Sequence, residues 1–417
     1  MAQNKNIPQG YKDSPLGIIP KEWEVKRLGE IGKITSGCTP LRSNLEYHSN
    51  GEIYWIKTTD LNNGIIIDTE EKITQKALKE TSLKILPIGT VLVAMYGGFN
   101  QIGRTGLLGI EATINQALSA ILCDKKIICN YYLLSWLNSN VGVWKSFAGS
   151  SRKDPNITSK DVADFPFLLP PLPEQQKIAE ILSVWDEANE KQTQLIAQLE
   201  TRKRGLMQQL LTGKKRVKGF SGKWVDKKLA EVGSFHKGCL FSKNDITTKG
   251  LFSCIHYGEL FTKYREVINH CFSKTNVNTD SLSKEGDLLF PASDVTPAGL
   301  GRCSALMLKN VVLGGDIIYL RPNNNYYSPF LSYVINHNKN AIIELVTGIA
   351  IKHISASQLK TITLKIPRCF EEQTAIANIL SAADTEITLA KQKLANLKEQ
   401  KKGLMQILLT GKRRVKV

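Results

Sequence analysis

One segment of the chain occurs twice, and this repeat limits the possible folds more than any other feature of the sequence. Residues 174–218 align without gaps with residues 372–416, at an offset of 198, and 24 of the 45 aligned positions are identical. The strongest block, 205–214, recurs as 403–412. Such self-similarity indicates an internal duplication. The regions between the copies diverge freely, so we predict one repeated scaffold that carries two different modules.

Each copy of the repeat has the pattern of a long helix. Apolar residues recur with the 4-3 spacing that is typical of coiled coils and helix bundles. Prolines at 170, 171 and 173 place the start of the first helix near Pro173. Gly213 and Gly411 stand where a left-handed cap ends a helix. About 38 residues at ~1.5 Å each predict a length of roughly 57 Å for each helix.

An apolar stripe of this length must be buried, and two arrangements achieve this. The two helices can pack against each other, which we favour, or each can dock separately on its own module. The residues predicted to pack the helix pair are Ile178, Leu182, Trp185, Ile196, Leu199, Leu206, Leu210, Ile376, Leu380, Ile387, Leu394, Leu397, Leu404 and Leu408.

The two modules, about 20–170 and 220–368, have a mixed pattern. Short runs rich in β-branched and aromatic residues, such as 53–56 and 317–320, predict strands. Helical patterns follow them, as in 130–138, and glycine-rich turns separate the elements. Each module is therefore predicted to be a small α/β or α+β domain.

The charge of the chain points to a polyanionic partner. The formal net charge is +17 at pH 7, from 55 basic and 38 acidic residues. An excess of this size is typical of proteins that bind nucleic acid. The densest basic stretches, 201–218 and 401–417, hold seven and six basic residues and no acidic ones. They can complement the helix macrodipole or contact phosphates, and the same residues can do both.

Composition excludes several classes of protein. With 42% hydrophobic and 22% charged residues, the chain is globular in character. It has no run of 18 apolar residues, and residues 1–10 are polar. The eight cysteines form no CxxC pair, which fits reduced thiols better than a disulfide framework. We therefore expect a cytoplasmic protein.

Motifs for catalysis are missing from the sequence. Residues 211–215 match only the end of a phosphate-binding loop, and no GxGxxG run follows a predicted strand. The proline pair at 170–171 lacks the flanking residues of an amino-methyltransferase motif, so we interpret it as a linker. The six histidines show no metal-ligand spacing with the cysteines. We predict no catalytic residue, no metal site and no cofactor in this chain.

The residues of both repeats resemble a known family. The run PPLPEQQKIA at 170–179, a long helix and then GLMQQLLTGK at 205–214 closely resemble the conserved regions of specificity (S) subunits of type I restriction–modification systems. Residues 371–412 resemble the same region again. The run IPKEW at 19–23 looks like the start of the first target recognition domain of that family. The run ATINQA at 112–117 looks like a segment that recurs in such domains.

The second module departs from the family pattern at two places. Residues 368–370 (RCF) replace the proline-rich run before the helix, and Gly314-Gly315 replaces an Asn-Gln pair. Under the resemblance, the predicted segments are 1–173 for the first target recognition domain with an N-terminal arm, 174–218 for the first helical spacer, 219–371 for the second target recognition domain and 372–417 for the second helical spacer.

The resemblance implies a DNA-reading subunit without an active site. Two target recognition domains would lie at opposite ends of an antiparallel coiled coil with pseudo-twofold symmetry, and each would read one half of a bipartite target in double-stranded DNA. The helices would dock two modification (methyltransferase) subunits, which bind S-adenosylmethionine and methylate adenine. Restriction subunits would complete an endonuclease that depends on ATP and Mg²⁺. These cofactors are expected on the partner subunits and none on this chain.

Two other classes of function stay open at this stage. The chain can be a stand-alone site-specific nuclease or methyltransferase, or an adaptor that binds only proteins through its coiled coil. In the favoured class, half-sites one duplex turn apart are separated by ~34 Å, which a helix pair of roughly 57 Å can accommodate.

Candidate DNA contacts lie in polar loops of both modules. Forked donors and acceptors read base edges, whereas Lys and Arg on phosphates fix the register. The predicted DNA-binding residues are Lys57, Thr58, Asp60, Gln101, Arg104, Arg152, Lys153, His256, Tyr257, Arg302, Lys352 and His353.

Overall fold

The computed structural model describes residues 7–148 and 156–416, which divide into two compact units. The first unit comprises residues 1–192 and 393–417, and the second comprises residues 193–392. Each unit therefore contains one module, the first half of the helix that follows it and the second half of the other long helix. The four segments predicted from the sequence follow one another along the chain, whereas each unit combines parts of several segments. The bounds of the four segments stay a prediction.

The first unit is built on a five-stranded sheet with the order β4-β11-β8-β9-β6, in which only the edge strand β6 runs parallel to its neighbour. Its strands are β1 (Tyr11–Ser14), β2 (Gly17–Pro20), β3 (Glu24–Arg27), β4 (Gly32–Ser36), β5 (Ile53–Ile56), β6 (Ile65–Ile66), β7 (Lys72–Ile73), β8 (Val91–Ala94), β9 (Thr105–Leu108), β10 (Thr113–Ile114), β11 (Leu118–Cys123) and β12 (Pro166–Leu169). Its helices are α1 (Leu28–Ile31), α2 (Gln75–Glu80), α3 (Asn130–Ser139), α4 (Val141–Phe147), α5 (Ser159–Asp164) and the first part of α6 (Leu172–Leu210).

The second unit repeats this topology with a sheet of order β14-β23-β19-β21-β17, again with a parallel edge strand. Its strands are β13 (Trp224–Lys228), β14 (Gly233–Lys237), β15 (Ile246–Thr247), β16 (Phe252–Ile255), β17 (Val267–Ile268), β18 (Ser273–Thr275), β19 (Asp287–Pro291), β20 (Ser293–Asp294), β21 (Ser304–Leu306), β22 (Val312–Leu313), β23 (Ile317–Pro322), β24 (Lys352–His353) and β25 (Thr363–Pro367). Its helices are α7 (Leu229–Val232), α8 (Glu259–Thr262), α9 (Pro297–Leu300), α10 (Ser328–His337), α11 (Lys339–Ile343), α12 (Ala356–Leu359) and most of α13 (Phe370–Leu408).

The two long helices have 39 residues each, close to the predicted length. Gly213 and Gly411 both have a φ of +70°, which is the left-handed conformation expected after a helix. The fourteen residues predicted to pack the helix pair are all buried or half-buried. None of the helices within 7–148 and 156–416 is long and apolar enough to span a membrane.

The ends of the helices pack into the modules, which the heptad pattern did not reveal. In the first unit, Ile178, Leu182 and Leu408 belong to the same core as the strands and helices of the module. In the second unit, Leu210 and Ile376 occupy the corresponding positions. The helices thus combine both arrangements that the sequence left open, because they contact each other and also complete the module cores.

Ion pairs show that the helix halves run antiparallel within each unit. In the first unit, Lys401 bonds to Asp186, and Arg414, which follows α13, bonds to Glu174. In the second unit, Lys203 lies 2.6 Å from Asp384, and Arg202 bonds to Glu386. Residue numbers that rise along one helix meet numbers that fall along the other, so the two halves run in opposite directions.

Asp186 and Asp384 each also accept a hydrogen bond from a tyrosine hydroxyl of the module in the same unit. Tyr131 donates to Asp186, and Tyr333 donates to Asp384 over 2.7 Å. Burial raises the pKa of both tyrosines far above the usual value, and the neighbouring carboxylates add to the shift. Both hydroxyls therefore stay protonated and tie each module to the helix that follows it.

A buried glutamate lies near the start of each long helix. Glu174 is 1% exposed and accepts hydrogen bonds from Trp23 Nε1 (2.9 Å), Arg414 Nε (2.6 Å) and Arg414 Nη2 (2.9 Å). Glu372 is 2% exposed and meets Arg216 through Nε (2.6 Å) and Nη2 (2.7 Å). A paired guanidinium offsets the cost of burying a carboxylate. These contacts explain why the Glu and the Arg are identical in the two repeats.

This arrangement predicts that the Glu372→Ala substitution destabilises the second unit by about 2–3 kcal/mol, because it leaves the half-buried Arg216 without its carboxylate. The measurement is urea unfolding of the full chain followed by tryptophan fluorescence. The matched control, Glu399→Ala, removes an exposed carboxylate and should change the free energy of unfolding by less than about 0.5 kcal/mol. Equal unfolding midpoints for the two variants would contradict this role of Glu372.

Candidate nucleic-acid interface

Arg104 joins two predicted DNA-binding loops of the first unit. The turn Thr58–Asp60 follows β5, and residues 95–104 connect β8 to β9. Arg104 donates from Nη2 to the Leu61 carbonyl and from Nη1 to Gln101 Oε1 at 2.7 Å. One guanidinium therefore connects the turn to the end of the neighbouring loop. Arg104 Nη1 and Gln101 Oε1 are thus already hydrogen-bonded to each other.

Two other predicted contacts order the same turn. Asp60 accepts a hydrogen bond from the Lys57 backbone N–H at 2.7 Å, and Thr58 is half-buried between them. The Lys57 side chain is 15% exposed and pairs with Glu71 and Glu70. Burial opposes its charge, but the hydrogen bonds to Glu71 and Glu70 raise its pKa overall. Lys57 is thus a charged residue whose charge is already balanced by two carboxylates.

The loop between β8 and β9 exposes aromatic side chains that are not among the predicted DNA-binding residues. Gly97 and Gly98 have positive φ angles of +110° and +83°, which only glycine adopts readily. They lie between the exposed Tyr96 and the exposed Phe99, and Lys145 Nζ lies 4.6 Å from the centre of the Phe99 ring. In the sequence, the run Tyr96-Gly97-Gly98-Phe99 between two predicted strands indicates such a loop with aromatic residues.

The second unit has an equivalent arginine. Arg302 precedes β21 as Arg104 precedes β9, and its Nη1 donates to the Leu260 carbonyl. The guanidinium lies over the ring of Phe261, with its carbon 5.3 Å from the ring centre. No side chain of this unit takes the place of Gln101, so Arg302 makes one such bond where Arg104 makes two.

His256 directly follows β16, as Lys57 follows β5. Its backbone N–H donates to Glu259 Oε2 at 3.0 Å, and its Nδ1 accepts from the Gly258 N–H at 3.2 Å. Burial lowers the pKa of His256, although Glu259 and Asp316 oppose the shift. The imidazole is therefore neutral near pH 7, with Nδ1 as acceptor and Nε2–H as donor. The Tyr257 ring lies 4.5 Å away.

The last two predicted contacts of the second unit form a short strand. Lys352 and His353 make up β24, which pairs antiparallel with β20, so Lys352 lies opposite Asp294. Lys352 Nζ donates to the Gly348 carbonyl at 2.8 Å. Thr347 pairs antiparallel with His353, and Ile349, in the turn between them, is 97% exposed. Arg152 and Lys153 are outside the described residues.

Comparison with models of protein families shows which family the chain belongs to. The family model described as "Type I restriction modification DNA specificity domain" matches residues 20–201 and again residues 221–399. The chain therefore belongs to this family and carries its domain twice. The resemblance noted in the sequence is confirmed.

Curated relatives carry the same description. The chain is 25% identical over 453 aligned positions to the MjaVIII specificity subunit of Methanocaldococcus jannaschii, which covers 98% of each chain. It is 28% identical over 177 residues to the EcoR124I/EcoR124II specificity subunit of Escherichia coli, and 32% identical over 196 residues to the MjaIX specificity subunit of M. jannaschii. The chain matches 44% of the length of each of the latter two proteins.

Solved structures share the fold. The S subunit of a type I restriction–modification system from M. genitalium aligns over 98% of both chains, with a TM-score of 0.62 and 15% identity. A chain from a structure that addresses the assembly and conformational transition of a type I R-M system covers 95% of this chain and 99% of its own length, with a TM-score of 0.58 and 17% identity. The predicted mixed fold with two globular domains and two long helices is confirmed.

The structure predicts a specific pH dependence for the site in the second unit. Burial would raise the pKa of Glu259, but hydrogen bonds from Lys263, Ser273 and the His256 N–H outweigh it and lower that pKa below its ordinary value of 4.5. A carboxyl with a lowered pKa stabilises the fold above pH 4.5, and this contribution is lost as the pH falls further.

Glu259→Gln should therefore cost about 1–2 kcal/mol at pH 7, and the difference from the natural chain should shrink between pH 4.5 and pH 3. The measurement is chemical unfolding at a series of pH values. Asp280→Asn, at an exposed carboxyl of the same unit, is the control and should show no such trend. A constant difference for Glu259→Gln across this range would contradict the assignment.

Proposed function

We propose that the chain recognises a bipartite sequence in double-stranded DNA as the specificity subunit of a type I restriction–modification complex. The observation that supports this most is the doubled specificity domain, because two matching domains with different loops suit two different half-sites. A stand-alone enzyme is less well supported. The M. jannaschii relative that aligns with 98% of this chain is described as the specificity subunit of a restriction enzyme.

In the proposed mechanism, each unit presents one reading surface. In the first unit this surface is formed by the Thr58–Asp60 turn and the 95–104 loop, which Arg104 holds together. In the second unit it is formed by residues that follow β16 and by the β20–β24 pair. Hydrogen bonds to the backbone hold these loops against the sheet, so their donors and acceptors keep fixed positions. Direct readout of base edges requires such fixed positions.

Individual side chains take different parts in this proposal. Neutral His256 offers an Nε2–H donor, and the adjacent Tyr257 hydroxyl can donate or accept at a base edge. Exposed His353 can make a similar contact. Lys352 contacts a phosphate, whereas Arg104 positions the loops rather than the DNA. Arg152 and Lys153 are also proposed to contact DNA, on the basis of sequence alone.

The long helices act as a spacer and as a docking surface in this proposal. At ~1.5 Å per residue, 39 residues extend over roughly 58 Å, which exceeds one duplex turn. Two modification subunits and the restriction subunits assemble on the chain in the cytoplasm. S-adenosylmethionine, ATP and Mg²⁺ bind to those partners, and the catalytic steps take place there.

DNA binding by the purified full-length chain tests this function. We expect the logarithm of the binding constant to fall linearly with the logarithm of the salt concentration, because phosphate contacts release counterions. With Mg²⁺ and S-adenosylmethionine present, the chain alone should neither cut nor methylate DNA. Binding that ignores salt would favour the protein adaptor, and cleavage or methylation would favour the stand-alone enzyme.

The spacer role predicts the effect of lengthening the helices. Four residues inserted near Glu190, with a matching insertion near Thr388, lengthen each helix by ~6 Å, which corresponds to fewer than two base pairs at ~3.4 Å each. The non-specific spacer of the methylated target should then grow by one or two base pairs. An insertion of the same length after Gly219, in an exposed segment, is the control. An unchanged spacer would contradict the role of the helices as a ruler.

A further inference from the structure

Three basic side chains surround a pocket in the second unit. The cavity has a volume of about 340 Å³, and its walls include Arg265, Arg302 and Lys339. One acidic residue, Glu266, also lines the cavity, but its carboxylate pairs with Lys203 at 3.1 Å. The wall of the pocket therefore carries three cations against one carboxylate, and that carboxylate is shared with Lys203.

Contacts within the unit orient the guanidinium of Arg302 but engage only some of its N–H donors. One of its N–H groups donates to the Leu260 carbonyl, and its carbon lies 5.3 Å from the centre of the Phe261 ring. An arginine side chain has five N–H donors, so several remain for a ligand. Within the described part of the chain, Arg302, Arg265 and Lys339 form no ion pair with a carboxylate.

The first unit lacks the other two cations at equivalent positions. The N–H of Leu107 bonds to the Gly64 carbonyl, and that of Ala305 bonds to the Glu266 carbonyl, so Gly64 and Glu266 correspond. Arg265 therefore stands where the first unit has Asn63.

The position of Lys339 is matched in the same way. Helix α3 places Asn138 beside β9, with its side chain bonded to Thr105 Oγ1, and helix α10 places Asn336 beside β21, bonded to the Cys303 N–H. Three residues further on, the second unit has Lys339 and the first unit has Val141. The cluster of three cations is thus a feature of the second unit alone.

We propose that this pocket binds a phosphate group. Guanidinium groups bind phosphate oxygens in pairs, and a lysine adds a point charge without fixed geometry. Two sources share this chemistry, a phosphodiester of the DNA backbone and a free phosphate ion. DNA is the favoured source, since Arg302 borders the proposed reading surface, and to this extent the inference rests on the proposed function.

The first test uses DNA and the full-length chain. Arg265→Ala/Lys339→Ala removes two exposed cations from the pocket, and the slope of log binding constant against log salt should become shallower by about 0.9 for each phosphate that the variant no longer neutralises. Lys309→Ala/Lys360→Ala removes two exposed cations elsewhere in the same unit and should keep the natural slope. This control separates a local effect of the pocket from the lower net charge.

The second test uses inorganic phosphate without DNA. Phosphate, compared with chloride at equal ionic strength, should raise the melting temperature of the natural chain and of the Lys309→Ala/Lys360→Ala control, but not that of Arg265→Ala/Lys339→Ala. This readout depends on the pocket and not on DNA recognition.

The outcomes separate the pocket from the proposed function. A shallower DNA slope for the pocket variant supports a phosphodiester ligand. An unchanged slope together with no stabilisation of that variant by phosphate supports a free phosphate ion and overturns the DNA source. If neither property changes while the natural chain keeps its steep slope, the pocket proposal is overturned and the function stands. A natural chain without any salt dependence would instead overturn the function.

Discussion

The buried ion pair between a glutamate at the start of one long helix and an arginine beyond the end of the other holds each unit together. Glu174 meets Arg414, and Glu372 meets Arg216. Each pair joins residues that are more than 150 positions apart in the chain, and each needs one partner from either copy of the repeat. Buried carboxylates are costly when unpaired, so neither copy can change these residues alone. This mutual dependence explains why both copies of the repeat keep the Glu and the Arg.

The modules between the repeats share a backbone and differ in their surfaces. Both have the same strand order and the same parallel edge strand, and both use an arginine to bond a carbonyl about 42 residues earlier. Yet Arg104 donates a hydrogen bond to the Gln101 side chain, whereas Arg302 lines a pocket that holds two further cations. A common frame with different side chains on its loops suits recognition of two different half-sites.

Local patterns in the sequence predicted the elements well, because strand and helix periodicity depend on nearby residues. The sequence predicts the strand at 53–56 with the bounds that the structure shows, and it predicts the long helices to within a few residues. The heptads could not show that Ile178 and Ile376 enter module cores, since periodicity identifies an apolar face but not what covers it. Nor could it show that Lys57 is neutralised by two glutamates, or that Arg265 and Lys339 meet around Arg302. Those contacts depend on how distant loops fold together.

In the proposed function, the chain decides which DNA sequence its complex modifies. Modified-base sequencing of host DNA, with and without the gene for this chain, tests that claim most directly. We expect methylated adenines in one interrupted, asymmetric motif when the gene is present, and their disappearance when it is removed. An identical methylation pattern in both strains, with the modification subunits expressed in each, would contradict the claim.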